Sequence, residues 1–142
     1  MSEWINLPEN LSDYFAFVYL ITNTSPDLPE NYPRYYVGKK QIMKKTRLKP
    51  KKGMKKSRIV YRDNGVQEYW GSSNDLLADI AKYGKENFKR EILHLCKSKW
   101  SASYMEAKEQ FDRRVLFDPC YYNGILNLRI GKVPKSYLEH GC

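Results

Sequence analysis

The chain has 142 residues, a net charge of +9 at neutral pH and an aromatic content of 14%, including twelve tyrosines. This length predicts a single domain over residues 1–142, and the apolar runs fall well short of the ~20 residues of a membrane span, so no membrane partner is expected. The positive charge indicates an anionic partner, and aromatic rings beside Lys and Arg suit nucleic acid, where bases stack and phosphates pair.

The first predicted element is a hairpin that follows a loosely docked, polar arm over residues 1–13. The run Phe15–Ile21 is continuously apolar, with β-branched and aromatic members, which favours a buried strand over a helix. The prolines between Thr22 and Pro33 indicate a loop. Arg34–Gly38 is predicted as the second strand, ended by a glycine that allows an unusual backbone angle or a close approach.

A strongly basic segment follows the hairpin. Lys39–Arg62 contains twelve positive residues and no acid. Such a block repels itself without counter-ions, so part of it is expected to be mobile when free. We expect helix at most over Gln41–Arg47, and then a loop broken by Pro50 and Gly53.

A first helix is predicted after a turn at residues 63–65. Ser72 or Ser73 can cap its N-terminus, and Asp75 lies in the favourable first turn. Gly84 is placed to end it.

The last predicted elements are a third strand, a second helix and a turn. Residues Phe88–Cys96 alternate in part between apolar and polar, as in a strand. The second helix is predicted over Ser101–Phe117, and residues 121–124 form a turn before a short extended piece and a basic tail. The apolar face predicted for this helix consists of Tyr104, Ala107, Phe111 and Val115.

The cysteines and the first ten residues bear on whether the chain has disulfides, a zinc site or a signal peptide. Cys96, Cys120 and Cys142 form no C-x-x-C pair, and only His94 and His140 could help them bind zinc. Neither a disulfide framework nor a zinc site is expected, which indicates a reducing, cytoplasmic setting. The first ten residues lack the basic start and apolar run of a signal peptide.

Several short motifs follow one another between residues 15 and 130. They are Val18-Tyr19-Leu20, Tyr36-Val37-Gly38, Tyr69-Trp70-Gly71-Ser72-Ser73, Lys82-Tyr83-Gly84-Lys85-Glu86-Asn87-Phe88 with Glu91-Ile92-Leu93, Glu106, and Tyr122-Asn123. Their order and spacing resemble those of the GIY-YIG endonucleases, particularly phage-encoded members related to homing endonucleases. The first triplet departs from the family's Gly-Ile-Tyr, and the basic segment is longer than in short members.

This resemblance implies a fold, an activity and a cofactor. The fold would be α+β, a small three-stranded antiparallel sheet flanked by helices. The activity would be cleavage of DNA phosphodiester bonds that depends on a divalent metal, Mg²⁺ or Mn²⁺.

The chemistry assigns expected roles to a carboxylate and two phenols. Mg²⁺ takes oxygen ligands and keeps most of its waters, so one carboxylate suffices as its protein ligand. Glu106 resembles the family's glutamate, and Glu109, less than one turn away, is the rival; both could instead be solvated helix residues. We expect Tyr19 to activate the attacking water and Tyr36 to orient it, although isolated tyrosines are more commonly core residues with satisfied hydroxyls.

A cation is expected on the scissile phosphate. Arg47 lies at a family-like distance along the chain, and its fork matches phosphate oxygens, while Lys40 and Lys39 lie closer to the sheet. Tyr69 occupies the region where the family carries a His or Tyr that contacts the phosphate, or it packs in the core. Asn123 is expected to brace the site by hydrogen bonding, and it also suits a turn.

The leading interpretation is a metal-dependent DNA endonuclease of a phage or mobile element, acting in the host cytoplasm. Alternatives are a non-catalytic nucleic-acid-binding module of the same fold, and a ribosome- or RNA-associated basic protein. A double-strand break would call for a homodimer on DNA, which no residue demonstrates.

Overall fold

Two sheets and two helices make up the computed structural model, in which residues 3–126 and 128–135 are described. The elements in chain order are β1 (Trp4–Ile5), β2 (Ala16–Asn23), β3 (Tyr35–Gln41), β4 (Met43–Leu48), β5 (Arg58–Asp63), α1 (Asn74–Tyr83), β6 (Phe88–Cys96) and α2 (Lys99–Asp112). The predicted α+β class is confirmed.

The central sheet has the strand order β1-β6-β2-β3. Strand β2 pairs antiparallel with β3, as the predicted hairpin requires, and also antiparallel with β6, whereas β1 adds a fourth strand parallel to β6. The predictions of three strands and of a loose N-terminal arm are therefore wrong. The physical reason is Trp4, which is only 5% exposed and donates from its indole N–H to the carbonyl oxygen of Val66, 2.9 Å away.

Strand β2 is buried on both faces, which explains its continuous apolar sequence. Alternate residues such as Phe17 and Ile21 pack in a cluster with the α1 residues Leu76 and Ile80. Those between them, such as Val18, pack in a second cluster that includes Ala102 of α2. Each helix therefore covers one side of β2.

Helix α1 confirms the capping signals in the sequence. The Ser73 hydroxyl accepts from the backbone N–H of Leu76 at 3.3 Å, which satisfies a donor left free at the helix start. Gly84 ends the helix with φ +92°, a left-handed conformation that glycine adopts without a Cβ penalty.

Helix α2 differs from its prediction in bounds and in the face that it buries. It begins at Lys99, after a capping box of Ser98 and Ser101, and ends at Asp112 rather than Phe117. Tyr104 and Phe111 are about half exposed. The buried residues of α2 are Ala102, Ala107 and Gln110, and of the predicted face Ala107 is buried in the helix and Val115 beyond its end. Small side chains on this face let the helix lie close to the sheet, a preference that the apolar pattern did not reveal.

The basic segment forms a second, two-stranded sheet of β4 and β5, so the helix expected over Gln41–Arg47 is wrong. The β-branched residues Thr46, Ile59 and Val60 lie in these strands and favour extended backbone. The connecting loop contains Pro50 and Gly53, as predicted.

Within residues 3–126 and 128–135, no helix is long and apolar enough to cross a membrane. Cys96 and Cys120 are free cysteines. Cys142, His140 and the basic tail from residue 136 onward lie outside the described residues.

Candidate active site

A cavity of about 520 Å³ lies beside β3, the edge strand of the central sheet. Its lining consists of Tyr19, Tyr36, Lys39, Ser72, Ser73, Glu106, Gln110, Tyr122, Asn123, Gly124 and Ile125. The structure thus brings together four of the predicted site residues. Lys40, Arg47 and Tyr69 are not among the lining residues.

The two tyrosines reach the cavity because Gly38 has no side chain. Tyr19 on β2 lies opposite Gly38 on β3, and Tyr36 precedes Gly38 by two residues and shares its face. A Cβ at position 38 would overlap the Tyr19 hydroxyl. The expected close approach at Gly38 is confirmed, but β3 continues to Gln41, so the prediction that Gly38 ends the strand is wrong.

Replacing Gly38 by Ala is expected to displace the Tyr19 ring and to cost about 1–3 kcal/mol of folding free energy, the usual range for overpacking a core. Gly124→Ala is the matched control, because Gly124 lines the same cavity and a Cβ there meets nothing within 4 Å. Thermal melting of both variants measures the difference. Equal melting temperatures would contradict the close approach.

Burial keeps both phenols protonated, although the hydrogen bond with Ser72 by itself lowers the pKa of Tyr36. The Tyr19 hydroxyl donates to the Tyr69 hydroxyl at 3.2 Å, and the Tyr36 hydroxyl lies 3.2 Å from the Ser72 hydroxyl. Burial raises the pKa of Tyr19 well above its ordinary value, with further increases from Tyr69, Tyr36 and Glu106. Burial also raises the pKa of Tyr36. The protein environment alone therefore opposes the role of base predicted for Tyr19, and suits two hydrogen-bonding phenols.

Exposure distinguishes the two tyrosines. Tyr19 has no exposed surface and packs edge to face against Trp4 and Phe17, so its ring belongs to the core. Tyr36 is only partly buried. Tyr36 is therefore the more accessible phenol, and Tyr19 forms the floor of the cavity.

Glu106 is the carboxylate that the structure places in the cavity. It lies on α2, and burial raises its pKa, opposed by the charge and the backbone N–H of Lys39. Glu109 instead accepts from Nε2 of His94 and Nε of Arg113, both at 2.9 Å. Burial would raise the pKa of Glu109, but these hydrogen bonds and charges outweigh it and lower the pKa.

The cation on the cavity wall is Lys39, in place of Lys40 or Arg47. The Lys39 ammonium donates to the Ser103 hydroxyl at 2.6 Å, which holds it towards α2. Lys40 points to the other face of β3, where its Nζ lies 4.3 Å from the centroid of the Tyr69 ring. Arg47 lies on β4, is exposed and donates to the Ser57 hydroxyl at 2.8 Å.

Tyr69 links the cavity floor to a buried arginine. Its hydroxyl accepts from Tyr19, and its carbonyl oxygen accepts from Nη1 of Arg90 at 2.6 Å. The Arg90 guanidinium lies between Trp70 and Trp4, 4.0 and 4.6 Å from their ring centroids. Arg90 therefore fixes the loop that carries Tyr69. Arg90 lies two residues from both Phe88 and Ile92 in the predicted strand, and this alternation was the sequence signal that Arg90 is buried.

Asn123 braces the edge of β3 next to Tyr36. Its side-chain oxygen accepts from the Val37 N–H at 3.0 Å, and its side-chain nitrogen donates to the Val37 carbonyl at 2.8 Å. The amide thus pairs with the free edge as another strand would.

The sequence analysis assigned no site role to four further polar residues that line the cavity, namely Ser72, Ser73, Gln110 and Tyr122. Gln110 donates to the Val37 carbonyl at 3.2 Å. Its position four residues after Glu106, which puts both side chains on one helix face, was the signal for it.

The side chains that line the cavity limit which metal ions it could bind. Glu106 is the one carboxylate among the lining residues, and in the part of the chain that the structure describes no three His, Cys, Asp or Glu side chains cluster. A single carboxylate suits Mg²⁺ or Mn²⁺ with bound waters, and it does not suit zinc, which takes several protein ligands.

Comparison with known protein families finds one whose model covers most of this chain. A family model described as "Putative endonuclease segE, GIY-YIG domain" matches residues 3–126. The matched segment contains all the predicted site residues and also β1. Neither the curated proteins nor the solved structures gave a match.

Proposed function

Because this chain belongs to the GIY-YIG endonuclease family, we propose that it is an endonuclease that hydrolyses DNA phosphodiester bonds and requires Mg²⁺ or Mn²⁺. The observation that carries the proposal is one cavity lined by two phenols, a carboxylate and an ammonium. Encoding by a phage or mobile element, and action in the host cytoplasm, are parts of the same proposal.

Each polar group has a distinct role in this proposal. Glu106 would hold the metal, whose chemistry when bound is stabilisation of charge on the phosphate and the leaving oxygen. Lys39 binds a phosphate oxygen. The Tyr36 hydroxyl orients the attacking water by hydrogen bonding, since its raised pKa keeps it protonated. Tyr19 fixes this arrangement from the cavity floor.

The positive charge beside the cavity supports DNA as the substrate. The segment Lys39–Arg62 carries twelve positive residues without an acid, and it follows directly from the cavity residues of β3. Phosphate contacts from such residues give affinity that falls steeply with salt concentration.

A plasmid-nicking assay tests the proposed activity. Supercoiled DNA is expected to become relaxed or linear with Mg²⁺ or Mn²⁺, and to stay supercoiled with EDTA, because one carboxylate alone stabilises no developing negative charge. The Glu106→Gln variant, purified in the same way, controls for contaminating nuclease. Retained nicking in EDTA would contradict the metal requirement.

A second candidate is a nucleic-acid-binding module without catalysis. The full burial of Tyr19 and its hydrogen bond to Tyr69 favour this reading, because both are typical of a core tyrosine. Binding of duplex DNA with no nicking in either metal would support it.

A homodimer on DNA is also proposed for double-strand cleavage. If each copy of the chain cuts one DNA strand in its cavity, a double-strand break needs two copies that act on opposite strands. Linear plasmid that forms at once, without a relaxed intermediate, would support paired action.

A further inference from the structure

Residues 43–63 form a basic ribbon that belongs to a sheet of its own, separate from the central sheet. The ribbon contains β4, β5 and the connecting loop, and it carries ten Lys or Arg residues and one acid, Asp63. Lys44 lies directly opposite Arg62, an unfavourable pairing of like charges. A two-stranded ribbon is at best marginally stable in water. A polyanion beside the ribbon would therefore stabilise it.

The two faces of the ribbon differ in chemistry. Because the register pairs odd-numbered residues with odd-numbered ones, they share a face, here called the odd face. The odd face presents Lys45, Arg47, Ile59 and Tyr61. The pair Met43–Asp63 shares this face at the end of the ribbon next to Ile42, where the Asp63 carboxylate accepts from the backbone N–H of Gly65 at 3.1 Å. Ile59 is 44% and Tyr61 is 66% exposed, so the odd face offers accessible apolar surface beside its cations. On the even face, Thr46 and Val60 are less exposed than their odd-face neighbours.

The residues that precede and follow the ribbon are hydrogen-bonded next to the central sheet, at the end of the ribbon nearer the cavity. Ile42, which precedes β4, is 2% exposed and donates from its backbone N–H to the Phe15 carbonyl at 2.9 Å. Asn64, which follows β5, donates from its backbone N–H to the Ile42 carbonyl at 3.1 Å. Lys39, on the cavity wall, lies only three residues before Ile42. A DNA duplex held by the ribbon would therefore pass close to the cavity.

We propose that this ribbon enters the major groove of duplex DNA, with the odd face against the base edges. The inference rests on the proposed function. The major groove is about 12 Å wide and admits a two-stranded ribbon, whereas the minor groove is about half that width. Arg47 and Lys45 match the guanine acceptors O6 and N7, and Ile59 and Tyr61 offer apolar contact to thymine methyl groups. The lysines of the connecting loop bind phosphates.

Two double variants with equal charge loss test the choice of face. Lys45→Ser with Arg47→Ser alters the odd face, and Lys44→Ser with Arg62→Ser alters the even face. Both are made in the Glu106→Gln protein, so that duplex DNA is bound without cleavage. Fluorescence anisotropy is expected to show an affinity loss at least about tenfold greater for the odd-face variant, since it alone loses base contacts. Melting curves check that both variants fold.

A modified duplex tests the groove. Replacing guanine by 7-deazaguanine removes the N7 acceptor from the major groove and leaves the minor groove unchanged. The Glu106→Gln protein is expected to bind this duplex more weakly than ordinary DNA. The odd-face variant is expected to bind the two duplexes equally.

The outcomes separate this inference from the proposed function. Equal affinity losses for the two double variants, or equal affinity of the Glu106→Gln protein for both duplexes, would overturn the ribbon inference even if the unaltered protein nicks plasmid normally. Absence of duplex binding by the Glu106→Gln protein would overturn the ribbon inference as well. Absence of nicking by the unaltered protein, with the odd-face asymmetry intact, would count against the nuclease activity alone.

Discussion

Replacing Glu106 by Gln is expected to lower the rate of DNA nicking by at least about a hundredfold, the scale of losing a metal's charge stabilisation. The substitution keeps the size of the side chain and removes the one carboxylate among the residues that line the cavity. DNA affinity is expected to stay near that of the unaltered protein, because the basic ribbon is untouched. Nicking in Mg²⁺ and anisotropy on duplex DNA measure the two effects.

Glu109→Gln is the matched control for this prediction, since the two residues lie less than one turn apart on α2. Glu109 accepts hydrogen bonds from His94 and Arg113 away from the cavity, and its lowered pKa means that these contacts stabilise the fold above the ordinary Glu pKa. The control should melt earlier yet nick DNA. Loss of nicking in Glu109→Gln alone would reassign the essential carboxylate.

Local signals made much of the central fold predictable from sequence. The length and composition of Phe15–Ile21 indicated a buried strand, and Ser73 and Gly84 marked the ends of α1. Strand β1 escaped prediction because two residues show no periodicity, and only its pairing with β6 makes it a strand. The face of α2 escaped prediction because close approach to a sheet favours small side chains over the larger apolar ones.

Part of the site was predictable from sequence, because the order of the motifs placed some residues correctly and the backbone conformation between them displaced others. Tyr19, Tyr36, Glu106 and Asn123 lie on one cavity, as the motif order implied. Arg47 does not, because the distance from Gln41 to Arg47 is about 9 Å in a helix but about 20 Å in a strand. The segment is extended and carries the guanidinium away from β3. Sequence spacing locates a residue in space only when the intervening conformation is known.

Strand conformation also explains why Lys39 lies on the cavity wall and Lys40 does not. Successive side chains of β3 point to opposite faces, so Lys39 turns towards Ser103 of α2 while Lys40 turns towards Tyr69. Glu106 also lies on α2. The cavity therefore joins groups from both faces at the edge of the sheet, a convergence that sequence order alone could not assign to one lysine.

Replacing Tyr19 by Phe is expected to lower the nicking rate severely while changing the melting temperature little. The variant loses one hydrogen bond, from the Tyr19 hydroxyl to Tyr69, which is worth about 1 kcal/mol. It keeps the ring contacts with Trp4 and Phe17. The Tyr19 side chain nevertheless forms the cavity floor, and its ring centroid lies 6.1 Å from that of Tyr36, so loss of the hydroxyl is expected to disturb the phenol that orients the water. Single-turnover nicking and thermal melting measure the two effects.

The Tyr122→Phe variant is the comparison that shows whether the Tyr19 hydroxyl is needed for nicking or only for the fold. Tyr122 lines the same cavity, but its hydroxyl donates to Asp79 at 2.8 Å and accepts from Asn23 at 3.2 Å, contacts that serve the fold. Removing it takes this acceptor from the buried side-chain nitrogen of Asn23, while Asp79 keeps its hydrogen bond from the Tyr32 hydroxyl. This variant should therefore melt earlier and still nick DNA. If Tyr19→Phe behaves in the same way, with a lower melting temperature and normal nicking, Tyr19 is a core residue and the water is oriented without it.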